Sequence, residues 1–178
     1  MKVSVYIATS LDGFIARENG DLDWLPGPEL EGGGEDYGFQ EFIDSIDTLV
    51  MGRNTFEMVI SSGMWLYGNK KVVVLSSKPV KIPGDIANTV TAQSCSPSEL
   101  VKQLSASGVK HIYVDGGKTI QGFLNERLVQ QIIITRIPVL IGKGIPLFGP
   151  VIKDIKLQHL KTSSFPDGIV QNRYKVQY

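Results

Sequence analysis

Short apolar runs rich in β-branched residues alternate with amphipathic segments along the chain, and this alternation is the feature that most constrains the fold. The apolar runs predict buried strands at residues 48–51, 71–75, 111–114 and 131–137. Ahead of the first of these strands, the spacing of one apolar helix face occurs at Phe39, Phe42, Ile43 and Ile46. Strands and helices that alternate in this way form a mostly parallel sheet with helices on both faces.

Three further patterns complete this expectation. Val3, Val5 and Ile7 alternate with Lys2, Ser4 and Tyr6, which predicts a first strand. The sequence of residues 96–99 (SPSE) has the form of a capping box with proline at the first helical position, and Gly108 is expected to close that helix. Residues 155–160 and 170–178 flank a turn-rich segment and predict an antiparallel C-terminal hairpin. Because the 178 residues contain no repeat and no linker, we expect one α/β domain over residues 1–178.

Composition excludes several classes of function. The 18 basic and 18 acidic residues balance, and no Lys/Arg cluster stands out, so nucleic acid is not an expected partner. The N-terminal apolar segment is short, and the most hydrophobic stretch, residues 132–141, is broken by Arg136 and Pro138. We therefore expect no membrane span and a cytoplasmic location. One cysteine and two distant histidines give no basis for a disulfide or a metal site.

Small or hydroxylated residues follow three of the predicted strands, at residues 52–55 (GRNT), 76–77 (SS) and 116–119 (GGKT). The carboxyl ends of parallel strands are where open α/β sheets bind ligands, and glycine there lets a phosphate approach the backbone. Arg53, Lys78 and Lys118 add cations near the same edge. These three ends predict an extended anionic ligand such as a dinucleotide, although a glycine after a strand is most often only a turn. Residues 115–119 (DGGKT) do not form a P-loop, because Ile112 stands where that motif requires glycine.

Residues 51–57 (MGRNTFE) resemble the M-G-R-x-T-x-E signature of dihydrofolate reductases, and residues 72–79 (VVVLSSKP) and 112–124 (IYVDGGKTIQGFL) resemble later segments of that family. Residues 10–13 (SLDG) and 137–148 (IPVLIGKGIPLF) are more similar to the reductase domain of the bifunctional riboflavin-biosynthesis protein. The resemblance implies a dihydrofolate-reductase-like three-layer sandwich that uses NADPH.

The resemblance also implies a set of cofactor contacts. Gly52 and the helix opening at Asn54 and Thr55 would receive the pyrophosphate, and Arg53 would pair with the 2′-phosphate beside Ser77 and Lys78, which would favour NADPH over NADH. Gly116 and Gly117, joined by a cis bond in the related enzymes, would lie close to the cofactor. The remaining implied contacts are Ala8 and Ile15 beside the nicotinamide, Leu75 on the adenine, Ser76 in the serine turn, and N–H groups of Lys118, Thr119 and Ile120.

The substrate side is less defined by the resemblance. Asp36 lies sixteen residues before Gly52, where the related reductases carry a catalytic carboxylate, but an acid there could equally favour the helix start through its dipole. Trp24 would lie on a lid formed by the Gly/Pro-rich loop at residues 19–34. Asp12 could contact substrate or cap its own turn, and the turn role is slightly favoured.

Departures from the folate enzymes point to another substrate. Asp115 stands where those enzymes have glycine, and residues 25–35 are poor in the apolar side chains that would grip a pteridine tail. We expect an NADPH-dependent reductase of a C=N-type bond in a ribosylaminopyrimidine or similar small heterocycle. The alternatives are a genuine dihydrofolate reductase and a non-catalytic NADPH-binding module. The family resemblance, with the apolar segment 137–148, also predicts a homodimer.

Overall fold

The structure is a computed structural model that describes residues 1–26, 36–165 and 167–178. Its helices and strands, in chain order, are β1 (Lys2–Ser10), β2 (Phe14–Ala16), α1 (Phe39–Asp44), β3 (Thr48–Gly52), α2 (Arg53–Ser62), β4 (Lys71–Leu75), β5 (Val90–Gln93), α3 (Pro97–Ala106), β6 (His111–Asp115), α4 (Gly117–Asn125), β7 (Gln131–Ile137), β8 (Ile145–Pro146), β9 (Lys156–Ser164) and β10 (Val170–Gln177).

A sheet of eight strands in the order β5-β4-β3-β6-β1-β7-β10-β9 forms the centre of the fold. The pairs β1–β6, β1–β7, β3–β4, β3–β6 and β4–β5 are parallel, whereas β10 runs antiparallel to both β7 and β9. The expected α/β class, the mostly parallel sheet and the antiparallel C-terminal hairpin are therefore confirmed. Strands β2 and β8 pair with each other in a separate small ribbon.

Helices cover the sheet on two faces because side chains alternate along each strand. On the first face, strand residues pack with Phe42 and Ile43 of α1 and Phe56 of α2. On the second face, they pack with Leu100 of α3 and with residues of α4. Along β6, Tyr113 belongs to the first-face cluster, whereas Ile112 and Val114 belong to the second-face cluster. This alternation places Asp115, the last residue of β6, on the first face.

The local signals of α3 act as the sequence predicts. The Ser96 hydroxyl accepts from the Glu99 backbone N–H at 3.3 Å, and a Glu99 carboxylate oxygen accepts from the Ser96 N–H at 2.9 Å, which completes the capping box. Gly108 follows the helix with φ +88°. None of the helices in the described ranges has the length and apolar content needed to cross a bilayer.

Three short strands escaped the sequence interpretation. β5 has only four residues, two of them exposed, and β2 and β8 have three and two residues. Segments this short contain too few alternations to show a period. The loop expected over residues 19–34 is described as far as Pro26, and the rest of it lies outside the described residues.

Candidate functional site

The carboxyl ends of β3 and β6 lie side by side at one edge of the sheet. The helices that leave these strands diverge, because α2 packs on the first face and α4 on the second. Such a divergence is a topological switch point, where open α/β sheets bind ligands. β4, which ends at Leu75, pairs with the other side of β3, so all three predicted strand ends meet at this edge.

The starts of α2 and α4 interlock through two glycines and two threonines. A Cβ added to Gly52, the residue before α2, would lie 2.8 Å from the Thr119 Oγ1 of α4. A Cβ added to Gly116, the residue before α4, would overlap the Thr55 Oγ1 of α2. Each helix start therefore supplies the threonine that fills the space beside the other helix's glycine. We call Gly52, Thr55, Gly116 and Thr119 the glycine–threonine interlock.

Gly116 has a backbone conformation that other residues rarely adopt, with φ 89° and ψ 136°. The expectation of a cis bond between Gly116 and Gly117 is wrong, since no peptide bond among the described residues is cis. The left-handed φ of Gly116 turns the chain from β6 into α4 with a trans bond. The Gly116 N–H donates to the Asp115 Oδ1 at 2.8 Å. The N–H groups of the first turn of α4 come after this bond in the chain and have no partner within the helix.

The predicted donors of α4 divide into two groups. Gly117, Lys118 and Thr119 form the first turn, where backbone N–H groups have no partner within the helix. The Ile120 N–H instead donates to the Gly116 carbonyl at 2.9 Å, and the Ile120 side chain is fully buried in the core. The prediction that Ile120 donates to a cofactor is therefore wrong, because its N–H closes the first helical turn. Lys118 is exposed at the helix start.

Arg53 and Asn54 open α2 at the same edge. The Arg53 Nη1 donates to both Glu57 carboxylate oxygens, at 2.8 and 2.9 Å, one turn along the helix. Its Nε and Nη2 have no partner within the part of the chain that the structure describes. Asn54 is exposed. The guanidinium of Arg53 is thus held near the helix start with donors left for a ligand.

The serine turn after β4 lies at the outer end of this edge. The Ser76 hydroxyl donates to the Lys78 carbonyl at 2.7 Å and accepts from the Lys78 N–H at 3.0 Å, so it stabilises its own turn. Ser77 is exposed, and its hydroxyl bonds none of the residues described. Leu75, before the turn, is partly buried against the second-face core. Of the two serines, Ser77 is the one whose hydroxyl is available to a ligand.

The β2–β8 ribbon covers the start of α4. A Cβ on Gly117 would lie 3.1 Å from both the Ile15 Cδ1 and the Pro146 carbonyl oxygen. Ile15 is partly buried there, and Ala8 is partly buried near the carboxyl end of β1. The two residues predicted to flank the nicotinamide therefore lie on neighbouring segments of the same edge.

Asp36 precedes α1, as the sequence count predicts, and is exposed. Its Oδ1 accepts from the Gly38 N–H at 2.8 Å, and its Oδ2 accepts from the Gln40 N–H at 3.0 Å. Both oxygens therefore hold the start of the helix, which is the alternative that the sequence left open. Whether Asp36 also contacts substrate stays a prediction.

Asp12 joins two loops rather than capping only its own turn. Its Oδ2 accepts from the Gly142 N–H at 2.8 Å, and its Oδ1 accepts from the Ile141 N–H at 3.3 Å. The Ser10 hydroxyl and these backbone groups lower the pKa of Asp12. The carboxylate joins the turn between β1 and β2 to the loop after β7. Because both of its oxygens accept these hydrogen bonds, it is less available to a substrate.

Trp24 is held by its neighbour in the chain. Arg17, just after β2, forms a bidentate pair with Asp23, with Nε–Oδ1 2.5 Å and Nη2–Oδ2 3.0 Å. The Trp24 Nε1 is buried and finds no hydrogen-bond partner in residues 1–26, 36–165 or 167–178. A buried indole N–H without a partner is uncommon, so this group is consistent with the predicted substrate contact.

Asp115 is a candidate site residue that the sequence interpretation did not single out. Burial raises the pKa of its carboxyl group to about 6, opposed in part by the hydrogen bond from the Gly116 N–H. The carboxyl belongs to the last residue of β6, directly before Gly116 of the interlock. Its position before two glycines, at the end of a buried strand, is the signal that could have identified it. In the sequence, Asp115 stands out only as a departure from the folate enzymes.

Comparison with known proteins gives a consistent result. The model of the RibD C-terminal domain family matches residues 1–171. The uncharacterized protein YwjB of Bacillus subtilis is 34% identical over 170 residues, which cover 94% of each chain. A solved structure from Shewanella sp. PV-4, of a protein with a suggested role in riboflavin biosynthesis, has 38% identity and a TM-score of 0.90 over 100% of both chains.

A more distant structure shows the shared fold. It is the diaminohydroxyphosphoribosylaminopyrimidine deaminase/5-amino-6-(5-phosphoribosylamino)uracil reductase of Thermotoga maritima, with 17% identity and a TM-score of 0.70. The match covers 98% of this chain and 56% of the Thermotoga chain. The expected similarity to the riboflavin-biosynthesis reductase group is confirmed by the family model.

Proposed function

The chain belongs to the RibD C-terminal domain family, and on that premise we propose that it is an NADPH-dependent reductase of a ribosylaminopyrimidine-type heterocycle. The observation that carries the proposal is the glycine–threonine interlock at the switch point of the sheet, because it packs two helix N-termini side by side at the carboxyl edge, each with first-turn N–H groups that have no partner within its helix. The reductase name of the Thermotoga protein, which shares the fold, supports the choice of reaction.

The residues at this edge fit a dinucleotide phosphate. The first-turn N–H groups of α2 and α4 suit a pyrophosphate, and the absence of a Cβ on Gly52 and Gly116 lets the two helix starts pack closely enough to present these groups together. The unbonded Nε and Nη2 of Arg53, with the exposed Ser77 and Lys78, suit the 2′-phosphate that distinguishes NADPH from NADH. Glu57 competes for the same guanidinium, so it sets how strongly Arg53 can favour the phosphate.

Bound NADPH would supply a hydride to the substrate. The nitrogen of a reduced C=N-type bond must then gain a proton. Asp115 suits that task better than Asp36, because burial holds the pKa of Asp115 at about 6, close to neutral pH. Its Oδ2 bonds none of the described residues, whereas both oxygens of Asp36 already hold backbone N–H groups. In this proposal Asp115 delivers the proton, and Asp36 orients the start of α1.

The proposal includes a homodimer. Leu140 and Phe148, in the segment after β7, are 70% and 46% exposed, and Ile152 beyond it is 83% exposed. Large apolar side chains this exposed and this close in sequence are typical of an association surface. Light scattering on the purified chain tests this part, and a monomer at micromolar concentration would contradict it.

Turnover assays test the proposed reaction. Purified protein is mixed with NADPH and either 5-amino-6-(5-phosphoribosylamino)uracil or dihydrofolate, and the loss of NADPH absorbance is followed, with NADH as the matched control. We expect oxidation of NADPH with the pyrimidine and much slower oxidation with dihydrofolate or with NADH. Quenching of tryptophan fluorescence by NADPH without any oxidation would instead support a non-catalytic binding module.

A further inference from the structure

Tyr67 lies in the first-face cluster, in the segment between α2 and β4. Its side chain is 7% exposed, and its ring meets that of Trp65 edge-on, with centroids 5.2 Å apart and an interplanar angle of 89°. Trp65 is in turn fixed by its Nε1, which donates to the Gly68 carbonyl at 3.0 Å. The position of the Tyr67 ring is therefore set by packing on a side chain that is itself held in place.

Three tyrosines belong to the buried part of this cluster, and their hydroxyl groups differ. The Tyr113 hydroxyl donates to the Tyr6 carbonyl at 2.9 Å, and the Tyr6 hydroxyl donates to the Tyr37 carbonyl at 2.7 Å. The Tyr67 hydroxyl has no partner among the residues that the structure describes. Because the Tyr67 hydroxyl is not among the fully buried atoms that lack a partner, it keeps some contact with solvent and is the one of the three that a ligand can reach.

Asp115 is the charged neighbour of this hydroxyl. Burial, followed by the charge of Asp115, raises the pKa of Tyr67, so the hydroxyl keeps its proton and remains a donor at neutral pH. Asp115 extends from β6 toward the same face, one step beyond Tyr113. No hydrogen bond joins the Tyr67 hydroxyl to the Asp115 carboxyl, so each polar group can bond a ligand placed at this end of the cluster.

We propose that Tyr67 is a further substrate-contacting residue, whose hydroxyl donates a hydrogen bond to a ring carbonyl oxygen next to the nitrogen served by Asp115. The ligand class is thus an oxo-substituted nitrogen heterocycle, whose ring oxygens can accept a hydrogen bond from the Tyr67 hydroxyl. This inference rests on the proposed function for the identity of the reaction, but it concerns binding of the ring and can be tested without turnover.

Binding of two small rings to the NADPH-saturated protein provides the test. 5-Aminouracil carries ring oxygens, and 2,4-diaminopyrimidine carries amino groups in their place. Affinities are measured by calorimetry for the wild type, for Tyr67→Phe and for Tyr174→Phe, a matched control on β10 that is partly exposed. We expect Tyr67→Phe to weaken 5-aminouracil about tenfold, with little effect on 2,4-diaminopyrimidine, and Tyr174→Phe to change neither affinity.

Thermal unfolding separates a ligand contact from a structural role. Because the Tyr67 hydroxyl has no partner in the described residues, Tyr67→Phe should leave the melting temperature of the free protein unchanged. Tyr113→Phe, which removes a hydrogen bond to the Tyr6 carbonyl, should lower it. NADPH affinity should be the same in wild type and Tyr67→Phe.

The outcomes distinguish this inference from the proposed function. Equal affinity of wild type and Tyr67→Phe for 5-aminouracil would overturn the inference, as would a wild type that binds no 5-aminouracil, and neither result bears on NADPH oxidation. A further outcome is Tyr67-dependent binding of 5-aminouracil by a protein for which none of the tested substrates supports NADPH oxidation. That result would uphold the inference and reject the proposed reductase activity.

Discussion

The two sides of the carboxyl edge differ in how their polar groups are used. On the side formed by β3, β4 and β6, first-turn N–H groups and the hydroxyl of Ser77 are left for a ligand, and two positions exclude any side chain larger than glycine. On the side formed by β1, β7 and the start of α1, the carboxylate oxygens of Asp12 and Asp36 already accept hydrogen bonds from backbone N–H groups. A polar residue at a sheet edge is therefore a strong ligand candidate only when the chain itself does not already satisfy it.

This difference changes the choice of catalytic acid. The family resemblance directs attention to Asp36, which the structure shows bonded at both oxygens. Asp115 lies where the two sides meet, and one of its oxygens accepts only the Gly116 N–H. Substitutions on one side at a time test this difference. Each result shows whether the polar groups of that side serve a ligand or only the fold.

The largest effect is expected from Gly116→Ala. The added methyl group would meet the Thr55 Oγ1 and would also be strained at φ +89°. We expect NADPH affinity to fall at least about 100-fold and the free energy of unfolding to fall by about 2–4 kcal/mol. Gly108→Ala is the matched control, because Gly108 has φ +88° but open space around it. It should lose about 1–2 kcal/mol of stability and keep its NADPH affinity.

The added substitution Thr55→Ala sharpens this test. In the Gly116→Ala background it removes the overlapping Oγ1, so part of the lost stability in urea unfolding should return. If Gly116→Ala and Gly108→Ala reduced stability equally and NADPH bound normally to both, the interlock would have no part in the cofactor site.

Asp115→Asn should stabilise the protein at high pH and reduce turnover. The folded-state pKa of Asp115, about 6, lies above the ordinary value of 3.8 for this carboxyl group, so the folded state is destabilised as pH rises through that window. Asparagine cannot ionise, so the variant should gain up to about 3 kcal/mol at pH 8 and nothing near pH 3. Urea unfolding at several pH values measures this, with exposed Asp154→Asn as the control. A gain that is independent of pH would show that Asp115 is not held protonated by burial.

Arg53→Ala tests the choice between the two nicotinamide cofactors. Loss of a charge-assisted contact with the 2′-phosphate should weaken NADPH by about 1–3 kcal/mol and leave NADH nearly unchanged. Glu57→Gln, which releases the guanidinium from its ion pair, should strengthen NADPH several-fold. Titration of tryptophan fluorescence with each cofactor provides both values. Equal losses for NADPH and NADH in Arg53→Ala would remove Arg53 from the phosphate site.

Asp36→Asn should have the smallest effect. Asparagine can replace only one of the two accepted hydrogen bonds at the start of α1, so stability should fall by about 1 kcal/mol. Turnover should stay within about twofold of wild type, in contrast to Asp115→Asn. A fall in turnover of tenfold or more, with normal NADPH affinity, would return the catalytic role to Asp36 and erase the contrast between the two sides.

Much of the framework could be predicted from sequence, because it depends on local signals. The bounds of β4 and β7 match residues 71–75 and 131–137, and the capping box at Ser96 forms as expected. The meeting of three strand ends at one edge was also predicted correctly, since glycines and hydroxyl residues at strand ends are visible in the sequence. β5 and the β2–β8 ribbon were missed because their two to four residues show no period.

What could not be predicted is whether a given polar group is already bonded. The sequence places Asp36 at a helix start and Asp12 in a turn, but their acceptor atoms are satisfied by backbone groups that only the folded chain brings near. For Asp12 these are the N–H groups of residues 141 and 142, about 130 positions away in the chain. The functional interest of Asp115 and Tyr67 likewise arises from burial and from missing partners, which local sequence does not encode.

The glycine–threonine interlock also constrains how this protein can change over generations. Because Thr55 fills the space beside Gly116 and Thr119 fills the space beside Gly52, a side chain gained at either glycine demands a smaller residue on the opposite helix. Each glycine and the threonine beside it therefore depend on one another. A lineage that replaces the glycine alone passes through a poorly packed intermediate, unless both residues change together. Among descendants of this chain, substitutions at these four positions should therefore occur in matched sets, even though Gly52 and Gly116 are 64 positions apart in the chain.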